Sequence, residues 1–346
     1  MTDIRSMGAK MSRQQTSCHV ASIKVSKKNI VMKCFIIAFF LVAIFQLFGV
    51  SRDYENYARF FSEAREYGFS YVRNHLFEPL FSYLSFVVSS VFKNNVMVYS
   101  LLAILSFSIK CFALRRVSRN WFILFVALTF YGARFFPLHE MTQIRASFAA
   151  SFLILAMVYI YQQKNKRSLL CGIATIGFHL SSLVIVPFAC YLKKHWRKRD
   201  VFFLSIVFFV LLLITKVFLL DFLASHISKL DSYQSLEYGG KVSWHARTVI
   251  LDILLIICGF SFWKRSDNLM RQILFSQVLG ILCYYVFWDY AVLAHRIREL
   301  LSIFWVLYFP LALNKRGNIR RVMSIFIFLN IALYFHLYFV SVHKIF

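Results

Sequence analysis

Negative charge is what this sequence has least of: 15 acidic residues stand against 40 lysines and arginines. Charged residues of both signs reach only 16% of the 346 positions, too few to cover a soluble surface. Together with four prolines, 60% hydrophobic residues and a mean hydropathy of +0.64, this excludes a water-soluble globular domain. The seven cysteines are scattered, mostly inside apolar segments, without CxxC or Cys/His spacing, so neither a disulfide framework nor a metal site is indicated. A G-x-S-x-G elbow, a P-loop, a dinucleotide-binding fingerprint and an H-E-x-x-H pair are all missing, as are internal repeats and low-complexity tracts.

What is present is a succession of apolar runs, which makes the chain an all-α polytopic membrane protein. Its net charge of +25 has a location. More than half of the basic residues lie in the N-terminal tail, in RRVSRN (115–120), KNKR (164–167), KKHWRKR (193–199), KR (264–265) and NKRGNIRR (314–321), runs that hold few of the acids. By the positive-inside rule these face the cytoplasm, and their partner is anionic lipid rather than nucleic acid. Residues 1–29 are polar, lack a cleavable signal pattern and read as a basic cytosolic tail; 30–346 read as one transmembrane catalytic domain.

Alternating the basic loops predicts about 11 membrane helices. Spans are expected near 30–50, 95–114, 121–138, 146–162, 201–222, 246–263, 272–288, 300–313 and 322–341, with outer segments at 51–94 and 223–245, a polar turn at 289–299 and a periplasmic C-terminus. Residues 168–192 are apolar but basic at both ends, so the charge rule predicts a hairpin of two short helices meeting near Gly177, Phe178 and His179. Each arm would be about 16 to 20 Å long, which puts the tip within the membrane in a protein-lined cavity. EPLFSYLSFVVSSVF (78–92) is expected to lie along the outer interface, because a crossing there would turn Arg115, Arg116 and Arg119 outward.

Some polar groups are left over from this sorting. The outer side carries Asp53, Glu55, Glu63, Glu66, Glu78 and Glu140 together with Arg134, Arg145, Arg296 and Arg298. Loop solvation accounts for Glu55, Glu63, Glu66, Arg59 and Arg65. Arg145 opens a span in HEMTQIRASFAA (139–150), where its planar fork of donors suits a phosphate or carboxylate; snorkelling is the plainer alternative. Arg296 and Arg298, beside another span, have the same status, and His295 reads as polar loop. His179 lies deep in an apolar segment, where an ionisable group is a functional candidate or a satisfied structural one. Asp53, Glu78 and Glu140 are the carboxylates able to take a proton from a sugar hydroxyl. Tyr54, Tyr57 and Trp244 suit stacking on sugar rings or an interfacial belt.

Five segments taken in order carry a resemblance: DYENY (53–57), EPLF (78–81), QIRASFA (143–149), the KNKR break, and FHLSSL (178–183). They resemble the EpsG-type polysaccharide polymerases, relatives of the Wzy O-antigen and capsule polymerases, whose pattern is D-x-x-x-Y, E-P-G-[FY], I-R-Q-x-x-A and F-H-x-S-A-L. Here Leu80, Ala146 and Ser182 stand in place of that pattern's Gly, Gln and Ala, and the Ala146 departure bears on one substrate hydrogen bond that the resemblance implies. The layout is also similar to the polyprenyl-dependent GT-C glycosyltransferases.

The resemblance implies a bacterial inner-membrane enzyme working at the outer face on undecaprenyl diphosphate-linked glycans. It would polymerise O-antigen or capsule repeat units without a cofactor, alongside a flippase and a chain-length regulator. Asp53, Glu78, Glu140 and His179 are then the expected catalytic residues. Arg145, Arg296, Arg298, Gln143, Tyr54 and Tyr57 would bind diphosphate and glycan. A polyprenyl-phosphate-sugar-dependent transferase and a lipid-linked oligosaccharide transporter are the rival readings.

Overall fold

In a computed structural model of the chain, the structure describes residues 52–75, 77–184, 196–220, 242–243 and 246–337, and every regular element among them is helical. In chain order the α-helices are α1 (Arg52–Asn74), α2 (Pro79–Val91), α3 (Asn95–Val117), α4 (Trp121–Arg134), α5 (Phe136–His139), α6 (Ile144–Tyr161), α7 (Asn165–Phe178), α8 (Lys198–Ile214), α9 (Arg247–Ser261), α10 (Asn268–Val286), α11 (Ala291–Ser302), α12 (Trp305–Leu313) and α13 (Asn318–Phe335). Among the described residues, five stretches are long and apolar enough to cross a membrane: α3, α6, Lys198–Val217, α10 and α13. α2 and α4 are apolar but shorter. The basic tail, the first expected span, the second hairpin arm and Trp244 lie outside the described residues.

α6 is the central element, 78% buried along its apolar window, whereas the Lys198–Val217 stretch is only 11% buried and lies at the rim. Small residues explain this centrality. Ser147, Ala149, Ala150, Ser151 and Ala156 let α3 and α7 approach closely, and Ser106 of α3 bonds Ser147 and Ser151 at 2.6 and 3.0 Å. A second apolar cluster joins α1, α2, α3 and the start of α6 through Tyr57, Phe60, Phe61, Phe81, Tyr99 and Phe148. That cluster holds α1 and α2 against the bundle.

Three local features differ from or refine the sequence reading. DYAVLAHRIRE is not a turn: most of it is in α11, because Ala294, Ile297, Leu300 and Leu301 recur at helical spacing and bury that stripe. The expected span at 300–313 is split between α11 and α12. The Leu301 carbonyl at the break accepts a 2.7 Å bond from Gln277 Nε2, so the interruption leaves no orphan there. α1 kinks at Gly68, whose φ of 71° and ψ of −156° a side chain would oppose.

Candidate functional site

α2 and α7 pack closely at Gly177. A Cβ on Gly177 would lie 2.6 Å from Leu80 Cδ1, so a larger residue there would have to displace the Leu80 side chain. Leu80 is the residue standing in the family pattern's glycine position, and its side chain occupies the space above Gly177. α7 then ends at Phe178, which stacks on Phe148 and Phe152 of α6 at 4.7 and 5.4 Å. With Phe178 pinned, the chain leaves the helix in extended geometry at His179.

His179 therefore faces Glu78. Glu78 is the N-cap residue of α2, ahead of Pro79, yet its side chain makes no bond to its own helix. Instead Oε1 lies 3.2 Å from His179 Nδ1 and accepts from the Leu180 amide at 3.1 Å, while Oε2 accepts from Arg145 Nη1 at 2.9 Å. An ionised carboxylate only accepts, so the Nδ1 of His179 carries the proton and Nε2 remains for a ligand. Burial pushes the Glu78 carboxyl up, but the His179 hydrogen bond and the Arg145 charge outweigh it and bring its pKa down to about 2.

The Arg145 guanidinium is caged. It lies 4.3 Å from the Phe77 ring centre and 5.9 Å from that of Tyr57, so two aromatic faces flank it. Tyr57 is itself buried among Phe77, Phe81 and Tyr99, whereas Tyr54 is partly exposed and meets Tyr99 edge-on at 5.7 Å. Asp53, one turn before Tyr57, feels the charges of Arg296 and Arg145, but burial dominates and raises its pKa above the ordinary aspartate value. Asp53 is thus a stronger base than Glu78.

A small cavity opens beside this cluster, lined by His139, Gln143, Ala146, His179, Arg296 and Glu299. Arg296 and Arg298 part company because two residues along a helix turn about 200°. Arg296 lines the cavity. Arg298 is buried, with Nη2 at 2.6 Å from Asp252 and Nη1 at 3.3 Å from Thr248. Arg134 holds the same Asp252 by two bonds of 2.9 Å and donates to Asn330 at 3.0 Å, so the cluster carries two guanidiniums for one carboxylate.

Glu140 sits in another network, wholly buried. Lys110 Nζ is 2.6 Å from its Oε1, the Tyr131 hydroxyl donates to Oε2 at 2.5 Å, and Ser147 donates to Oε1 at 2.8 Å. The structure thus brings together Asp53, Glu78, Arg145, His179, Gln143, Arg296 and Tyr57, and it puts Glu140 and Arg298 in separate interior clusters. The sequence reading does not single out Lys110, Asp252 or Glu299. For the first two, a lone ionisable residue inside an apolar run is the signal that finds them.

The EpsG family matches the chain over residues 29–346. The chain belongs to the EpsG family. Neither the curated proteins nor the solved structures contain a match to it. Membership puts this EpsG protein among membrane proteins of polysaccharide biosynthesis. The segments that carry the family resemblance are spread over residues 53–183, and in this EpsG chain Glu78, Arg145 and His179 pair with one another, with Tyr57 beside Arg145. Among the described residues no group of His, Cys, Asp or Glu is placed to hold a metal ion.

Proposed function

We propose that this protein is a polysaccharide polymerase of the bacterial inner membrane, with about 11 spans in a GT-C-like arrangement and its site at the outer face. It moves a growing O-antigen or capsule glycan from undecaprenyl diphosphate onto a non-reducing-end hydroxyl of a newly flipped lipid-linked repeat unit. The observation carrying this reading is the Glu78–Arg145–His179 cluster, with Asp53 and Arg296 beside it.

In the reaction the acceptor oxygen bonds to the anomeric carbon as the bond from that carbon to the diphosphate oxygen breaks. The hydroxyl proton goes to Asp53, whose raised pKa makes it the better base of the two outer carboxylates. Negative charge grows on the leaving diphosphate, where Arg145 and Arg296 neutralise it. Glu78 is a positioning residue: it holds the Arg145 fork and fixes the tautomer of His179, whose Nε2 contacts the substrate. Gln143 donates from the cavity rim, and Tyr54, partly exposed, offers a face to a sugar ring.

The test is a silver-stained gel of surface polysaccharide from a deletion strain complemented with wild type or Arg145→Ala at equal expression. Losing guanidinium contacts to a diphosphate costs a few kcal/mol, or roughly a hundredfold or more in rate. The expected result is a ladder with wild type and single capped repeats with the variant. A ladder that persists in the deletion strain refutes the polymerase, and single added sugars as product point to a branching transferase instead.

A further inference from the structure

Among the described residues, the buried carboxylates Glu140 and Asp252 have every oxygen paired. Glu140 has three partners, and Asp252 has two arginines. His139 and Glu299 are different. His139 is only 1% exposed, and its Nε2 lies 2.9 Å from Glu299 Oε1, yet the groups are out of line for a hydrogen bond. Both ring nitrogens of His139 and the Oε1 of Glu299 are left without a hydrogen-bond partner. Such orphans are costly to bury and need a cause.

Both residues line the cavity next to Arg296 and His179, and that cavity has room for about one water-sized group. The chemistry of the orphans selects what enters. Glu299 only accepts, and an imidazole bears one donor for each neutral tautomer. A hydroxyl is both donor and acceptor, so it can give its hydrogen to Glu299 and take one from His139. A phosphate oxygen would meet the Glu299 carboxylate and be repelled. The pair therefore disfavours the diphosphate that Arg145 and Arg296 attract, and favours a neutral polyol beside it. Ala146 keeps the space open, since a longer side chain at that position on the cavity wall would fill it.

We infer that His139 and Glu299 form the seat of an acceptor-sugar hydroxyl, orienting the incoming repeat unit against the donor. This rests on the polymerase reading and adds to it the residues that grip the acceptor glycan. The pair touches substrate, while proton removal is left to Asp53.

The test uses the full-length protein in proteoliposomes and lipid-linked repeat units extracted from the deletion strain. Polymer formation is followed against repeat-unit concentration for wild type, His139→Phe, Glu299→Gln and Ala146→Leu, with undecaprenyl diphosphate added as a competing product. His139→Phe keeps an aromatic ring in the buried site, and Ala146→Leu fills the cavity while leaving His139 and Glu299 unsubstituted. Each variant should raise the half-saturating repeat-unit concentration by roughly 10- to 100-fold, the effect of losing a hydrogen bond to a charged group. Inhibition by undecaprenyl diphosphate should not change. An unchanged half-saturating concentration in all three variants overturns the inference alone, and so does an equal loss of undecaprenyl diphosphate inhibition, which marks collapse of the whole site. No polymer from wild type overturns the polymerase reading and this inference with it.

Discussion

At the scale of single residues, the two carboxylates near Arg145 have opposite chemistry for physical reasons. Glu78 accepts from His179, Arg145 and a backbone amide, and stays ionised until pH falls to about 2. Its folded-state pKa lies below the ordinary 4.5, so the stability it confers is present above that value and is lost as pH drops through about 2. Asp53 has its pKa raised by burial, against the opposing pull of Arg296 and Arg145. Its sign is reversed: the ionised form is the disfavoured one, and its contribution to stability is lost as pH rises through the raised value. Two outcomes are expected for Asp53→Asn, namely lost elongation in the polysaccharide gel and a thermal unfolding temperature in detergent equal to or above wild type. A rate profile of the wild type should fall on the acid side at a pH above the ordinary aspartate value of 3.8, while Glu78 is still ionised. An acid limb at or below 3.8 would remove Asp53 from the role of base.

At the scale of elements, the α3–α6 contact is held by a polar seam running through an apolar interface. The Lys110 ammonium lies among Glu140, Ser106 and two atoms of Ser147, at 2.6 to 3.0 Å, and all of these groups are buried. Removing one member strands the other charge in a low-dielectric interior. Lys110→Met or Glu140→Gln alone should therefore destabilise by about 3–5 kcal/mol. Lys110→Met combined with Glu140→Met should recover much of that loss, since the paired charges contribute little net stability over apolar packing. Thermal denaturation of the purified protein checks it, and a double variant no better than the singles would show that the seam is worth more than its packing. The Arg134–Asp252–Arg298 cluster does similar work for α4, α9, α11 and α13, which meet through Asp252 and Asn330. Both networks sit close to the site, so either one sets where α6 and α11 present Arg145 and Arg296.

At the scale of the whole molecule, the charge pattern makes an orientation testable. The loops after α3 and after α6, and the one before α13, carry the basic runs, whereas α1 carries Asp53, Glu55, Glu63 and Glu66. In a background without native cysteines, Arg119→Cys, exposed in the loop after α3, should be blocked only by reagents admitted to the cytoplasm. Glu66→Cys should react with an impermeant maleimide from outside. Reaction of both from one side would refute the outer-face site. α2 and α1 also expose Leu80, Tyr83, Val87 and Val91 with Tyr67 and Phe69, and Phe69 stacks on Tyr83 at 5.5 Å. An aromatic and aliphatic face of this kind suits the headgroup boundary expected for EPLFSYLSFVVSSVF.

The sequence by itself determined the helical membrane class, the positions of the long apolar helices and the residues that match the family. These depend on local quantities: run length, basic clusters and short motifs. The break after Phe178 was legible too, because basic runs at both ends of one apolar segment forbid a single crossing. Partnership was decided only in three dimensions. Glu78 and Glu140 look alike in the sequence, yet the first meets Arg145 and His179 and the second meets Lys110, thirty residues earlier in the chain. Arg296 and Arg298 differ by two positions and part because a helix turns about 200° between them. No span count foretells that Glu299 and His139 meet beside Arg296, since contact between residues 160 positions apart follows from packing rather than from pattern.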